Sequence, residues 1–467
     1  MLKTMFYSDA RCGAGKTYWA VQKLACNLGK TILAVDRIEI ADQRARAIKD
    51  AAEDAGMAPL VEVIVSDDCN SNARRSVARR IEDAAAELAG NRHVILVVCH
   101  AGLRMADLSG FAGWNLVIDE AMSLLDHQTY DTGAMLAWLQ ANYEIGPQGP
   151  DGSHPVRFIG SFSPGDMTRK GSREWASLHL SVLTGQARVD ISCWSERGRW
   201  SAWRLIDPAI HFQSFDQITV LADSFSQTET GLLTGMNPGI TLVELDSLKE
   251  RDASRRWHSR RVVIEYFLDD RAVSDGLLNA EDFQPTLKAI GSYIAANTSP
   301  GDHLWSCNDD QVKVLRDCGI RGSKTQPVQA GSGEFSHMTA VTFLYSSKPT
   351  PEAVALYGRW GVSKDQLIAA REFNAIRQYV MRCNTRVPES DLPIIIRVYD
   401  HHQARDLEAY LGESYGFSVA IQHVDLGVPA LRPKLSAKPS APPLTLEQKR
   451  KRQAGYTAKW RANKTGK

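Results

Sequence analysis

The segment that most restricts how this chain can fold is Ala10-Arg11-Cys12-Gly13-Ala14-Gly15-Lys16-Thr17, which lies directly after an apolar run, Lys3 to Tyr7, and directly before a helical stretch. A glycine-rich loop ending in Lys-Thr needs that strand-loop-helix setting to work as a phosphate cradle. Gly13 and Gly15 let successive backbone N–H groups turn inward at the positive end of the following helix. Lys16 would then reach the β and γ phosphates of a nucleoside triphosphate, and Thr17 would hold Mg²⁺ through its hydroxyl. Ala10 to Thr17 are therefore the candidate nucleotide-binding residues, with ATP and Mg²⁺ as the expected cofactors.

The rest of the first 120 residues agrees with such a frame. Short runs rich in Val, Ile and Leu recur at Thr31–Val35, Val61–Val65, Val94–Cys99 and Asn115–Ile118, separated by helical-period stretches such as Ile38–Ala52 and Arg74–Leu88. This alternation predicts an α/β fold, a parallel sheet covered by helices. From Met122 to Ser214 the rhythm fails, and that segment reads as an insertion or accessory layer. It returns at Ile218–Ala222, a strand expected to rejoin the first sheet. A second α/β rhythm follows, with strands near His303–Cys307, Ala340–Tyr345 and Ile394–Tyr399 and helices near Phe283–Ala296 and Lys364–Met381. A length of 467 residues exceeds what one core supports. The predicted organisation is a first domain over 1–240 with 122–214 inserted, a second over 241–428, and a Pro-rich linker and basic tail over 429–467.

Leu116-Val-Ile-Asp119-Glu120 is an apolar strand ending in two acids, about 100 residues beyond the loop. Asp119 at a strand's carboxyl end is placed to contact the Mg²⁺ of a bound nucleotide, and Glu120 to orient or deprotonate a water. In the second half, Gln378, Arg382 and Arg386 follow one another at steps of four, on one face of a helix or at its end. They make either a solvated helix face or a set of groups aimed at the γ-phosphate from a second domain, where an arginine accelerates transfer by about 10³ to 10⁵.

In this order the three segments resemble superfamily-two helicases, the DEAD/DEAH-like motors with two RecA-like domains, particularly phage- and plasmid-type members. The resemblance spans roughly residues 3–428. It implies ATP in a cleft between the domains, gripped by Lys16, Thr17, Asp119 and Glu120 on one side and by Gln378, Arg382 and Arg386 on the other, with Lys16, Glu120, Gln378, Arg382 and Arg386 catalytic. Val35-Asp-Arg37 with Gln43, and Cys99-His100, are similar to strand-binding motifs, which makes Arg37 and His100 nucleic-acid candidates. Ala222-Asp-Ser224 looks like the motif coupling hydrolysis to movement. Gly331 and Gly333, in Gly331-Ser-Gly-Glu-Phe-Ser-His337, look like the motif touching both ATP and strand. Asp119-Glu120-Ala-Met122 matches neither named box, and with nine residues before Ala10 no adenine-reading glutamine motif is expected.

Net charge is +1, but residues 432–467 carry 11 Lys or Arg and one acid, a net of +10 that leaves the remainder at −9. Within this tail Lys449, Arg450, Lys451, Arg452 and Trp460 suit phosphate contacts and stacking, or simply a solvated end. Trp194, Arg197, Arg199, Trp200, Trp203 and Arg204 read as a half-buried strand or a stacking platform. No run of about 18 apolar residues and no signal peptide is evident, so a cytoplasmic protein with no membrane association is expected. The eight cysteines lack zinc spacing. The expected partner is single-stranded or duplex nucleic acid, DNA favoured, and the expected role is a helicase or translocase in phage or plasmid DNA replication. A DNA-packaging terminase-like motor and an ATP-switched nucleic-acid clamp are the alternatives.

Overall fold

A computed structural model of the chain describes residues 2–66, 77–131, 136–149, 152–162, 178–179, 181–183, 185, 187–190, 199–254, 256–269, 271–327 and 333–428. The Pro-rich linker and basic tail over 429–467, Gly331, Trp194 and Arg197 lie outside the described residues.

Two parallel sheets organise the molecule. The first has seven strands in the order Ile240–Glu244, Lys3–Ser8, Gln217–Leu221, Asn115–Asp119, Lys30–Val35, Val94–Cys99 and Leu60–Ile64, every neighbouring pair parallel. The second has six, in the order Ser323–Lys324, His303–Cys307, Ala340–Leu344, Ile394–Asp400, Arg261–Leu268 and Ser418–His423, again all parallel. The fold is α/β, with two RecA-like halves. Alternate residues of one strand serve opposite faces, as the near-continuous apolar runs require. Ile32, Leu96, Leu116, Ile118 and Val220 join one core cluster, while Leu33, Val35, Val97, Val117 and Leu221 join the other.

Ile240–Glu244 pairs with Lys3–Ser8 at the edge of the first sheet, so that sheet reaches Glu244, past the boundary expected at 240. Its five residues alternate between half-buried and exposed, which hides an edge strand from a search for apolar runs. The insertion forms its own five-stranded antiparallel sheet, running spatially Leu125–Asp131, Arg199–Leu205, Ala187–Val189, His154–Phe158 and Tyr143–Ile145. Arg199–Leu205 is thus a strand; Trp203 is buried, and Arg204 donates to the Arg104 carbonyl at 2.9 Å.

The stretch expected to form one helix, 364–381, is three segments. Helical turns at Lys364–Ile368 and Asn374–Val380 flank a wide turn, Ala369–Phe373. Wide turns of this kind redirect side chains within a helix. Here Arg371 faces the first domain while Glu372 is buried against Gln403, whose Nε2 donates to it at 2.9 Å.

The halves meet through an apolar seam in which Leu125, Trp203 and Leu233 pack on Leu356, Tyr357, Val362 and Leu367. Arg371 clamps Glu229 with two hydrogen bonds of 2.9 Å, and the Tyr357 hydroxyl donates to the same carboxylate. Among the described residues no helix is long and apolar enough to cross a membrane, and Cys12, Cys26, Cys99, Cys307, Cys318 and Cys383 are free thiols.

Candidate nucleotide cleft

The loop from Ala10 to Gly15 leaves the end of Lys3–Ser8 and feeds the helix Lys16–Cys26. Gly13 and Gly15 have φ of +81° and +87°, the left-handed region that favours glycine. A side chain there would also collide with its surroundings. A Cβ on Gly13 would stand 2.9 Å from the Trp257 ring, and one on Gly15 2.9 Å from Arg251 Nε. Lys16 is buried, and its ammonium donates to the carbonyls of Ala10 (2.5 Å) and Arg11 (3.1 Å). These are bonds that a phosphate can replace, since the amine is already held in the mouth of the loop.

Two strands away, Asn115–Asp119 ends with Asp119 buried beneath the same helix. Thr17 Oγ1 lies 3.4 Å from Asp119 Oδ1, while Asp119 Oδ2 pairs with Arg44 Nε at 3.1 Å. A hydroxyl and a carboxylate at this separation are hard oxygen donors suited to Mg²⁺, which takes few protein ligands and keeps waters and phosphates for the rest. Glu120 follows with φ +71°, a conformation a non-glycine residue holds only when its surroundings enforce it. Its N–H donates to the Leu221 carbonyl at 2.9 Å, and burial, assisted by the Asp119 charge, pushes its pKa up to about 7. A carboxyl balanced between its two forms near neutrality is suited to accept a proton.

The second domain completes the cleft. A cavity of about 360 Å³ is lined by Lys16, Thr17, Asp119 and Glu120 from one half and by Gln378, Arg382 and Arg386 from the other. The three second-domain residues do not share a helix face. The helix ends at Val380, whose carbonyl is taken by the Thr385 hydroxyl and the Cys383 thiol, and Arg386 sits on a separate short turn, Asn384–Arg386. The bend, and not the four-residue period, brings them to one wall. Arg382 is buried and donates to the Gln326 carbonyl at 3.1 Å; burial first, with the nearby charge of Arg37 adding to it, lowers its pKa to about 10.

Other candidates fall differently. Gly333 is exposed and lines neither cavity of the cleft. Arg37 lies just before the helix Ile38–Asp54 and pairs with Asp36 at 3.3 Å. His100 lines a second cavity, about 440 Å³, which Asp36, Glu120 and Gln378 share with the first. Its Nε2 is buried without a hydrogen-bond partner, and burial lowers its pKa.

Sequence reasoning missed Arg44, Tyr18, Arg251 and Trp257. Arg251 donates to the Ala14 carbonyl at 3.2 Å and lies over the Tyr18 ring, 5.0 Å from its centre. Arg251 comes from Asp246–Ser254, the segment joining the two sheets, and nothing in its local sequence marks it. Tyr18, an exposed aromatic next to Thr17, was the one available signal.

No family model matches the chain, and no curated protein does. Among solved structures it is similar to an XPD helicase, at 10% identity over 90% of this chain and 96% of that one, with a TM-score of 0.46. It is similar also to Xpd4 of S. tokodaii (11% identity, 90% and 96%, TM-score 0.47) and to S. cerevisiae Dbp5 bound to RNA and ADP BeF3 (11%, 91% and 86%, TM-score 0.40). Each TM-score is below 0.5, so what the cleft can do is read from its own side chains.

Proposed function

We propose that this protein is a nucleic-acid-stimulated ATPase that works as a helicase or single-strand translocase. The supporting observation is the shared cavity, in which a phosphate loop and two strand-end acids of one domain face Gln378, Arg382 and Arg386 of the other. In the reaction, water attacks the γ-phosphorus, the bond to the β-phosphate oxygen breaks, and ADP and inorganic phosphate leave. Lys16 exchanges the Ala10 and Arg11 carbonyls for phosphate oxygens, and its charge offsets that of the triphosphate. Glu120 orients the water and takes its proton. Arg382 and Arg386 stabilise charge on the transferring group in a site screened from solvent. Thr17 and Asp119 would hold Mg²⁺, which when bound neutralises charge on the phosphates.

Because the site needs both domains, ATP favours the closed arrangement and hydrolysis relaxes it, and a strand held across the domains is moved in the process. Arg37 and His100, at the start of elements that follow first-sheet strands, are the proposed strand contacts. A terminase-like motor would need a nuclease in the second domain; that domain instead supplies the cleft with a glutamine and two arginines. The reading keeps DNA as the favoured strand and phage or plasmid replication as the setting.

The test is ATP turnover with no nucleic acid, single-stranded DNA, RNA and duplex, alongside Lys16→Ala. Stimulation by single strands supports the reading, and the better stimulator identifies the track. Turnover equal in the wild type and Lys16→Ala sinks it, and strand-dependent binding without turnover selects the clamp.

A further inference from the structure

A buried polar chain leaves the first sheet, passes through the second domain and returns to the phosphate loop. It starts at Asp223, buried at the end of the strand Gln217–Leu221, the strand that lies between the one feeding the phosphate loop and the one ending in Asp119. Asp223 Oδ2 is 3.2 Å from the hydroxyl of Tyr410, which is 3.0 Å from the hydroxyl of Tyr415, which is 3.1 Å from the carbonyl oxygen of Cys12 in the phosphate loop. Both tyrosines belong to the second-domain helix His401–Tyr415. Their rings are held in place, Tyr415 edge-on to Trp257 and under Arg11, Tyr410 under Arg377. Arg377 is itself clamped by Asp406.

Counting protons gives this chain a definite state. A carbonyl only accepts, so the single proton of Tyr415 is committed to Cys12. Tyr410 has one proton for two neighbours. If Asp223 were a carboxylate, Tyr410 would donate to it, and the two tyrosine oxygens would face each other 3.0 Å apart with no proton between them, a buried contact of the costly kind. If Asp223 carries a proton, it donates to Tyr410, Tyr410 to Tyr415 and Tyr415 to Cys12, and all three contacts are satisfied.

We propose that Tyr410 and Tyr415 are positioning residues that transmit the state of the phosphate loop to the second domain, with a proton on Asp223 completing the chain. The proposal rests on the ATPase reading. When phosphate draws Lys16 from the Ala10 and Arg11 carbonyls, the neighbouring Cys12 carbonyl turns with the same stretch of backbone. Tyr415 loses or gains its acceptor accordingly, and the helix that carries it belongs to the domain that must move. At the other end, Asp223 stands two residues after Leu221, whose carbonyl holds the Glu120 N–H. The surroundings support the protonated form. Burial is the main cause raising the Asp223 pKa, against the lowering influence of Lys16, of hydrogen bonding with the Cys12 thiol and Tyr410, and of Arg377, and Glu120 faces the same space.

The experiment measures the affinity of the full-length protein for a labelled single-stranded oligonucleotide with and without a non-hydrolysable ATP analogue; their ratio is the coupling. Tyr410→Phe and Tyr415→Phe keep the rings and remove one hydroxyl each. Each is expected to bring the ratio down about fivefold, the worth of one hydrogen bond, with analogue affinity within about twofold and melting temperature near that of the wild type. The double variant loses no more than the larger single loss, because one chain is cut twice. Asp223→Asn keeps the ratio, its amide N–H standing in for the carboxyl proton. Phe variants with the wild-type ratio, losses that multiply in the double variant, or a collapsed ratio in Asp223→Asn would overturn the relay while wild-type turnover above that of Lys16→Ala leaves the ATPase reading intact. Turnover no greater than that of Lys16→Ala removes that reading and the relay with it.

Discussion

On the first-domain side of the cleft the polar groups named for nucleotide binding stand on a loop-to-helix junction or at the carboxyl end of a parallel strand. Lys16 and Thr17 follow Lys3–Ser8, and Asp119 and Glu120 close Asn115–Asp119. On the second-domain side Gln378 comes from the last turn of a helix and Arg382 and Arg386 from beyond its end, and Arg382 is bonded to a carbonyl of its own domain. One side is assembled by backbone geometry and stays assembled. The other depends on where two packed bodies meet, through the Leu125–Trp203–Leu356 seam and the Glu229–Arg371 clamp. One side that binds and a second that completes the site suit the proposed motor, in which nucleotide state changes the domain arrangement.

The largest expected effects separate the two sides. Lys16→Ala and Arg386→Ala each lower ATP turnover by about 10³-fold or more, but only Lys16→Ala weakens nucleotide binding strongly, which equilibrium titration of a fluorescent ATP analogue would resolve. If Arg386→Ala kept turnover within about tenfold, the second side would have no part in the chemistry. Glu120→Gln is expected to lower turnover by about 10²- to 10⁴-fold with binding retained, read by single-turnover kinetics. Equal losses in turnover and affinity would make Glu120 a binding group instead.

A smaller effect comes from acid. In the second sheet the neutral ring of His303 donates from Nδ1 to the Arg321 carbonyl (2.8 Å) and accepts at Nε2 from Thr342 Oγ1 (2.9 Å), and burial pushes its pKa down to about 4. A histidine depressed in the folded state stabilises fully above its unfolded pKa near 6.5 and loses that contribution as pH falls from there toward 4. Between pH 7.5 and 5 the loss is about 2 kcal/mol. In the first domain His100, His127 and His211 are likewise pushed down by burial. His303→Gln should therefore flatten the pH dependence of the second domain alone, followed by calorimetry across that range; an unchanged slope there would remove His303 as its source. The smallest effect belongs to the clamp. Glu229→Gln should cost the closed arrangement about 1 kcal/mol, roughly a fivefold shift, measured as the distance between labels on the two domains.

Legibility followed the same division. The strands Lys3–Ser8, Lys30–Val35, Val94–Cys99, Gln217–Leu221, His303–Cys307 and Ile394–Asp400 fall within a residue of the runs that marked them, and most are buried on both faces and so near-continuously apolar. Ile240–Glu244, at a sheet edge with one exposed side, had no such run. Gln378, Arg382 and Arg386 were visible as a spacing on a helix face or at a helix end, and the helix stops at Val380, between Gln378 and Arg382. Arg44, Tyr410 and Tyr415 were invisible as site residues, since a salt bridge or hydroxyl chain to a partner 75 or 403 residues away leaves no local pattern.

By itself the sequence determined the α/β class, the glycine-rich loop Ala10–Thr17 between a strand and a helix, and the strand-end acids, all written in residues near one another in the chain. Only the tertiary structure decided that Arg382 and Arg386 face Lys16, that Arg251 and Trp257 close over the glycines of the loop, and that Asp223, Tyr410, Tyr415 and Cys12 share two hydroxyl protons among three contacts. These depend on how one folded domain docks against another, and docking is set by the summed burial of residues scattered along the whole chain.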